Sequence, residues 1–127
     1  MTNIKNTKPT ESELEILRIL WEKGTASVRE VHEILSLHKD AGYTTTLKLM
    51  QIMFEKGLVY RDSGSKIHIY KAKLSKEKTQ KELVGKMIYT LFNGSPSQLV
   101  LHALGTSNPD KEELEQIQAL INSLKNQ

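Results

Sequence analysis

The chain has 127 residues, 38% of them apolar and 26% charged, which suits one folded domain with an appendage and argues against wholesale disorder. It contains no cysteine, which excludes a disulfide scaffold, a thiolate metal site and thiol catalysis. The net charge of +3 is unevenly placed: residues 39–74 hold 7 basic and 3 acidic side chains, residues 75–127 hold 6 of each, and a local basic excess is the footprint of a polyanion binder.

Residues 1–9 carry no apolar stretch of the signal-peptide kind, and no apolar run is long enough to span a bilayer, so a cytoplasmic protein is expected. Thr10-Glu11-Ser12-Glu13 is a capping box: the Thr10 hydroxyl accepts from the third helical amide while Glu13 accepts from the cap amide. Leu14, Leu17, Leu20 and Trp21 follow at helical spacing and Gly24 suits a stop, which predicts a helix over 11–23. Ser27-Val28-Arg29-Glu30 is a second box and opens a short helix over 28–37. Tyr43-Thr44-Thr45-Thr46 leads a third helix that ends at Lys56 before Gly57. Thr46, Leu49, Met50 and Met53 share its inner face, and Thr44, Thr45, Lys48, Gln51 and Glu55 point away.

Residues 58–61 and 66–71 read as strands on either side of the turn cluster Asp62-Ser63-Gly64-Ser65. Tyr60 and Tyr70 are expected to pack this hairpin on the third helix. Ser75 then caps a long helix over 76–92, stopped by Asn93-Gly94-Ser95-Pro96. Ser97 is expected to cap a helix of one to two turns that ends at Gly105. Asn108-Pro109-Asp110 opens the last helix, with Pro at the first helical position. Leu114, Ile117, Ile121 and Leu124 form a coiled-coil-like seam on it, and one helix of that size is marginal without a partner surface.

Two capped helices, a third with a polar outer face, and a basic hairpin make a winged helix-turn-helix pattern followed by a helical region, mostly α overall. The major groove admits one helix, whose outer side chains reach base edges. Thr44, Thr45, Lys48 and Gln51 are the candidate base readers, and Arg29, Arg61 and Lys66 the candidate phosphate contacts. Residues 10–74 are expected to bind DNA and residues 75–127 to dimerise. Leu83, Met87, Leu91, Leu99, Leu101, Leu114, Ile117, Ile121 and Leu124 are the candidate interface. The plainer readings are that the threonines only cap a helix and that Arg61 and Lys66 only discourage edge-strand aggregation. Trp21, Met50 and Met53 read as core.

No catalytic constellation, metal site or cofactor is expected. There is no Gly-rich phosphate loop, and His32, His38, His68 and His102 include no pair at helical metal spacing.

The motifs Glu11-Ser12-Glu13-Leu14-Glu15-Ile16-Leu17 with Trp21, then residues 25–31, Tyr43-Thr44-Thr45-Thr46, Glu55-Lys56-Gly57-Leu58-Val59 and Leu91-Phe92-Asn93-Gly94-Ser95 occur in a telling order. With Leu99-Val100-Leu101 and the Glu-Glu-Leu start at 112–114, the chain resembles the BlaI/MecI penicillinase-repressor family, which includes CopY-type copper-responsive repressors. The resemblance implies a homodimeric repressor of a palindromic promoter element. In it the winged helix reads DNA and the C-terminal helices dimerise. Thr45 falls on the family's threonine near the start of the recognition helix, Lys48 falls where many members carry another threonine, and Arg61 and Lys66 fall on the wing. Tyr70 matches the aromatic before the wing's exit, and Ala72 stands where proline is common. Antibiotic-sensing members are cut by a sensor protease between Asn and Phe at the place where this chain has His102 and Ala103. That makes the pair a candidate regulatory cleavage position with unusual residues. CopY-type copper sensing uses C-terminal cysteines, which this chain lacks. Two other readings stand beside the repressor. One is a winged-helix protein–protein module, toward which Leu47, Ile52 and Phe54 lean. The other is a PadR- or MarR-like regulator released by a small-molecule inducer.

Overall fold

The computed structural model describes residues 8–127. Six helices and a three-stranded sheet occur among them, in the order α1 (Glu11–Lys23), β1 (Ala26–Ser27), α2 (Val28–Leu35), α3 (Tyr43–Lys56), β2 (Val59–Asp62), β3 (Ile69–Ala72), α4 (Lys76–Leu91), α5 (Pro96–Thr106) and α6 (Lys111–Lys125). The chain divides into two compact units, the first ending at Gln80 and the second spanning Lys81–Gln127, with the boundary inside α4.

Both N-terminal capping boxes form. Thr10 N–H donates to Glu13 Oε1 at 2.9 Å while Glu13 N–H donates to Thr10 Oγ1 at 3.2 Å. Ser27 and Glu30 repeat the exchange at 2.9 and 3.2 Å. Each box satisfies amides that a helix start otherwise leaves unpaired. α3 begins on Gly42 without a side-chain cap and ends at Gly57, whose φ of 82° is a left-handed C-terminal geometry that a residue with a Cβ resists.

In the first unit α1, α2 and α3 bury Ile16, Leu17, Leu20, Val31, Met50 and Met53 together with Leu58 and Tyr70 from the hairpin region. Thr46, Met50 and Met53 are the buried residues of α3, as their spacing predicts. Trp21 packs at the rim of this core, and its Nε1–H donates to the Leu74 carbonyl at 2.9 Å, pinning the exit of β3 to α1. Thr79, in the first turns of α4, is also buried, so this unit extends past the hairpin.

Several boundaries differ from the pattern-based reading. The second helix stops at Leu35, because beyond it the Leu37 and His38 amides bond three residues back, to the Ile34 and Leu35 carbonyls at 3.2 and 3.0 Å, and residues 36–38 form a turn. The strands lie one to three residues later than their apolar alternation suggests. The hairpin is also not alone: Ala26 and Ser27 pair with Tyr70 and Ile69, giving an antiparallel sheet of order β1-β3-β2. Tyr60 does not pack on α3; it is 54% exposed, with the Lys73 ammonium 5.6 Å from its ring centre. Tyr70 is instead buried in the core shared with α1, α2 and α3.

In the second unit no residue is fully buried. The cap of α5 is Ser95, not Ser97, since Ser95 Oγ accepts from the Gln98 amide at 3.4 Å and Pro96 takes the first helical position. α5 runs through Gly105 to Thr106. α6 is capped by Asp110, which forms a third box with Glu113, and Pro109 precedes the helix. The turn between α4 and α5 passes through Asn93 and Gly94 at φ of 52° and 81°.

Candidate nucleic-acid interface

α3 is amphipathic in the sense a groove-reading helix requires. With Thr46, Met50 and Met53 committed to the core, Thr44, Thr45, Lys48, Gln51 and Glu55 are exposed. None of these five side chains makes a hydrogen bond or ion pair within the described residues. The hydroxyls, ammonium and amide are therefore available to an outside partner, and their donor and acceptor types match those presented in the major groove.

A cleft of about 420 Å³ runs beside this helix, and its walls include Arg29 from α2, Tyr43 and Leu47 from α3, and Lys66 and His68 from the hairpin. Two of the phosphate-contact candidates, 37 residues apart in sequence, thus share one concavity. Arg61 does not line it. Its guanidinium carbon sits 4.1 Å from the centre of the Phe54 ring, at the far end of α3, and its Nε is buried without a hydrogen-bond partner among the described residues. Arg29 is held in the same way, 5.4 Å from the Tyr43 ring centre. A second cleft of about 310 Å³ between α1 and α2 is lined by both charge signs, among them Arg18, Glu22 and the Lys39–Glu15 pair at 2.9 Å.

The His32 side chain couples α2 to α3. Its Nδ1 is 3.1 Å from Thr46 Oγ1, and its ring meets the Tyr43 ring edge-to-face at 5.6 Å and 84°. At the head of α2 the Ser27 amide donates to the Glu30 carboxylate and holds its pKa below the usual carboxylate range, with Lys23 acting in the same direction. Among the described residues no group of three or more His, Asp or Glu side chains is placed to hold a metal, and no helix is long and apolar enough to cross a membrane.

Sequence alone gives Tyr43 and His68 no place in a DNA site, and it gives Phe54 a place only on a protein–protein face. The only signal was the spacing of Tyr43, Leu47 and Phe54 at intervals of four and seven, which places them on one flank of the helix. Which arginine meets which ring depends on how α2 and β2 pack, and spacing does not encode that.

Of the interface candidates, Leu83, Leu99 and Ile117 are half-buried in the second unit, while Met87, Leu91, Leu101, Leu114, Ile121 and Leu124 are exposed. His102 and Ala103 lie inside α5. The His102 ring rests against Phe92 at 5.5 Å, and the Ala103 carbonyl accepts from the Ser107 amide at 3.3 Å and from the Ser107 hydroxyl.

The family model described as Penicillinase repressor matches residues 9–123. The chain is similar to the methicillin resistance regulatory protein MecI of Staphylococcus aureus (strain N315), at 25% identity over 122 residues, covering 93% of this chain and 96% of that one. It is similar to the penicillinase repressor of Staphylococcus aureus at 18% identity over 120 residues, covering 94% and 95%. Its match to the transcriptional regulator BlaI of Mycobacterium tuberculosis (strain ATCC 25618 / H37Rv) is 33% identical over 67 residues, 52% of this chain and 49% of the relative.

Proposed function

The chain belongs to the penicillinase repressor family, whose members are transcriptional repressors and not enzymes, and from that premise we propose that it binds a palindromic promoter operator as a homodimer. The observation that carries this reading is the unpartnered polar face of α3 beside a cleft that gathers Arg29 and Lys66. Thr44, Thr45, Lys48 and Gln51 face base edges. Arg29, Arg61 and Lys66 face phosphates and set the register of the helix in the groove.

The protein–protein alternative draws on Leu47, Ile52 and Phe54. Leu47 is half-buried in the cleft wall, and Ile52 and Phe54 are 37% and 38% exposed, with the Arg61 guanidinium over the Phe54 ring. Two partly exposed side chains do not make a docking patch of several hundred Å².

The second unit supplies the dimer. Residues 81–127 bury no side chain, so their helices cannot hold their positions by propensity alone, and the apolar rows on α4, α5 and α6 need a covering surface. A second copy of the same rows is a self-complementary solution under twofold symmetry. α4 has 16 residues, and at about 1.5 Å per residue it extends about 24 Å. That is a fitting arm for two reading heads about 34 Å apart, one DNA turn. On this reading residues 10–74 read DNA and residues 75–127 join the protomers, with the start of α4 belonging to the first compact unit.

Release follows from separating the C-terminal helices, since each head then loses the other's effective concentration. A protease cut between His102 and Ala103 requires local unwinding of α5 first, because those two residues are helical. The reading is tested by a DNA-shift assay of the full chain on its own upstream region at two salt concentrations. Specific retardation that weakens with salt supports it. No retardation at either concentration overturns it.

A further inference from the structure

Tyr43 opens α3 and Phe54 lies in its last turn, and each carries an arginine from a different element. Arg29 comes from α2 and stands 5.4 Å from the Tyr43 ring centre; Arg61 comes from β2 and stands 4.1 Å from the Phe54 ring centre. The rings are 39% and 38% exposed, so neither is core. The ion pairs among the described residues, Lys23–Glu30, Lys39–Glu15 and Lys56–Glu13, all use lysines, and neither arginine is paired with a carboxylate. Arg61 Nε is buried and has no acceptor among the described residues, which leaves its two terminal nitrogens as the donors for an outside anion.

This difference has a chemical consequence. A carboxylate holds an arginine by occupying its N–H donors and cancelling its charge. A ring face holds it through the quadrupole and leaves both the charge and the donors free. The Tyr43 ring is itself oriented by His32, which meets it edge-to-face and is tied to Thr46.

We propose that Tyr43 and Phe54 are positioning residues for DNA binding: each ring holds one arginine, Arg29 at the start of α3 and Arg61 at its end, with its terminal N–H groups open to backbone phosphates. The proposal rests on the reading of these arginines as phosphate contacts and adds how they are held. It places one aimed guanidinium at each end of a single flank of the reading helix.

The test is a double-mutant cycle on the full chain, with a fluorescein-labelled duplex of mixed sequence titrated at several salt concentrations. Phosphate contacts do not need the operator, so a mixed duplex suffices. Arg61→Ala is expected to weaken binding about tenfold and to lower the salt slope by about 0.9. Phe54→Leu is expected to weaken binding about threefold in the parent and to change nothing in the Arg61→Ala background. Tyr43→Leu is expected to behave the same way toward Arg29→Ala. Phe54→Trp keeps a ring face and should retain the affinity that Phe54→Leu loses.

The same loss from Phe54→Leu with and without Arg61 shows a packing effect and overturns the positioning role, leaving the phosphate reading intact. A loss in Phe54→Trp equal to that in Phe54→Leu overturns it as well. Arg29→Ala and Arg61→Ala variants that bind like the parent overturn the phosphate reading, and the positioning role with it. Thermal midpoints of all variants confirm that each head is folded.

Discussion

Lys56 Nζ lies 2.7 Å from Glu13 Oε1 and ties the last turn of α3 to the first turn of α1. The same carboxylate oxygen accepts the Thr10 amide, so one buried acid both caps α1 and anchors α3. Lys56 also donates to the Lys8 carbonyl at 3.3 Å. Glu13 is 3% exposed in its side chain, and removing its cation strands a charge away from water. Lys56→Met is expected to cost about 2–3 kcal/mol in urea unfolding. Glu13→Gln keeps hydrogen-bonding atoms and drops the charge, and is expected to cost less than Lys56→Met. A Lys56→Met variant within about 0.5 kcal/mol of the parent would reduce the pair to the level of a surface contact.

The second capping box supplies a pH dependence. The Ser27 amide lowers the Glu30 pKa below the usual carboxylate range, with Lys23 adding to the effect. A carboxyl whose folded value is depressed stabilises the fold fully above its unfolded value. That contribution is lost as pH falls through the depressed folded value. The head of α2, which carries Arg29, is therefore expected to loosen in acid. Thermal midpoints compared from about pH 7 to about pH 3 should fall less steeply in Glu30→Gln than in the parent. Parallel profiles would show that Glu30 contributes nothing to acid sensitivity.

The parts of the fold that sequence predicts well are those whose cause is local. Thr10, Glu13, Ser27 and Glu30 sit within four residues of the groups they cap, and all four make the expected bonds. Thr46, Met50 and Met53 share a face by spacing alone, and the core takes that face. β1 escapes such reading because its two residues show no alternation and exist as a strand only through Tyr70 and Ile69, more than forty positions away. The cap of α5 was displaced because Ser95 and Ser97 both flank Pro96, and their hydroxyls lie 3.0 Å apart. For the candidate site the outer face of α3 could be read in advance, but the pairing of Arg61 with Phe54 could not. It depends on where β2 leaves α3 after the left-handed Gly57.

Base reading and phosphate holding separate in one comparison. Lys48 is exposed at the middle of the outer face of α3 and has no partner within the described residues. Lys48→Ala is expected to narrow the gap between operator and mixed-sequence DNA by about 1–3 kcal/mol. Lys66→Ala should instead weaken both duplexes alike and lower the salt slope by about 0.9. Affinities for the two duplexes across a salt series provide the check. A Lys48→Ala protein with the parent's discrimination ratio would remove Lys48 from the base-reading set.

The dimer hypothesis makes the strongest demand on the second unit. α6 carries Leu114 at 45%, Ile121 at 38% and Leu124 at 57% exposure, with Ile117 half-buried among them, and buries no residue of its own. A row of this kind on a capped helix is stable only against another apolar surface. Ile117→Asp and Ile121→Asp each put a carboxylate on that row. In a monomer the charge at position 121 stays hydrated and costs little. In a dimer it is desolvated without a cation to pair with, and several kcal/mol oppose association. Each variant is therefore expected to sediment as a monomer and to lose tight operator binding, because the two heads no longer share an effective concentration. The heads themselves should keep their thermal transition, since α6 lies outside the first unit. Light-scattering mass and operator affinity measured on the same samples link the two effects. A monomeric variant that holds the operator at the parent's affinity would show that one head suffices and that the C-terminal helices serve another purpose.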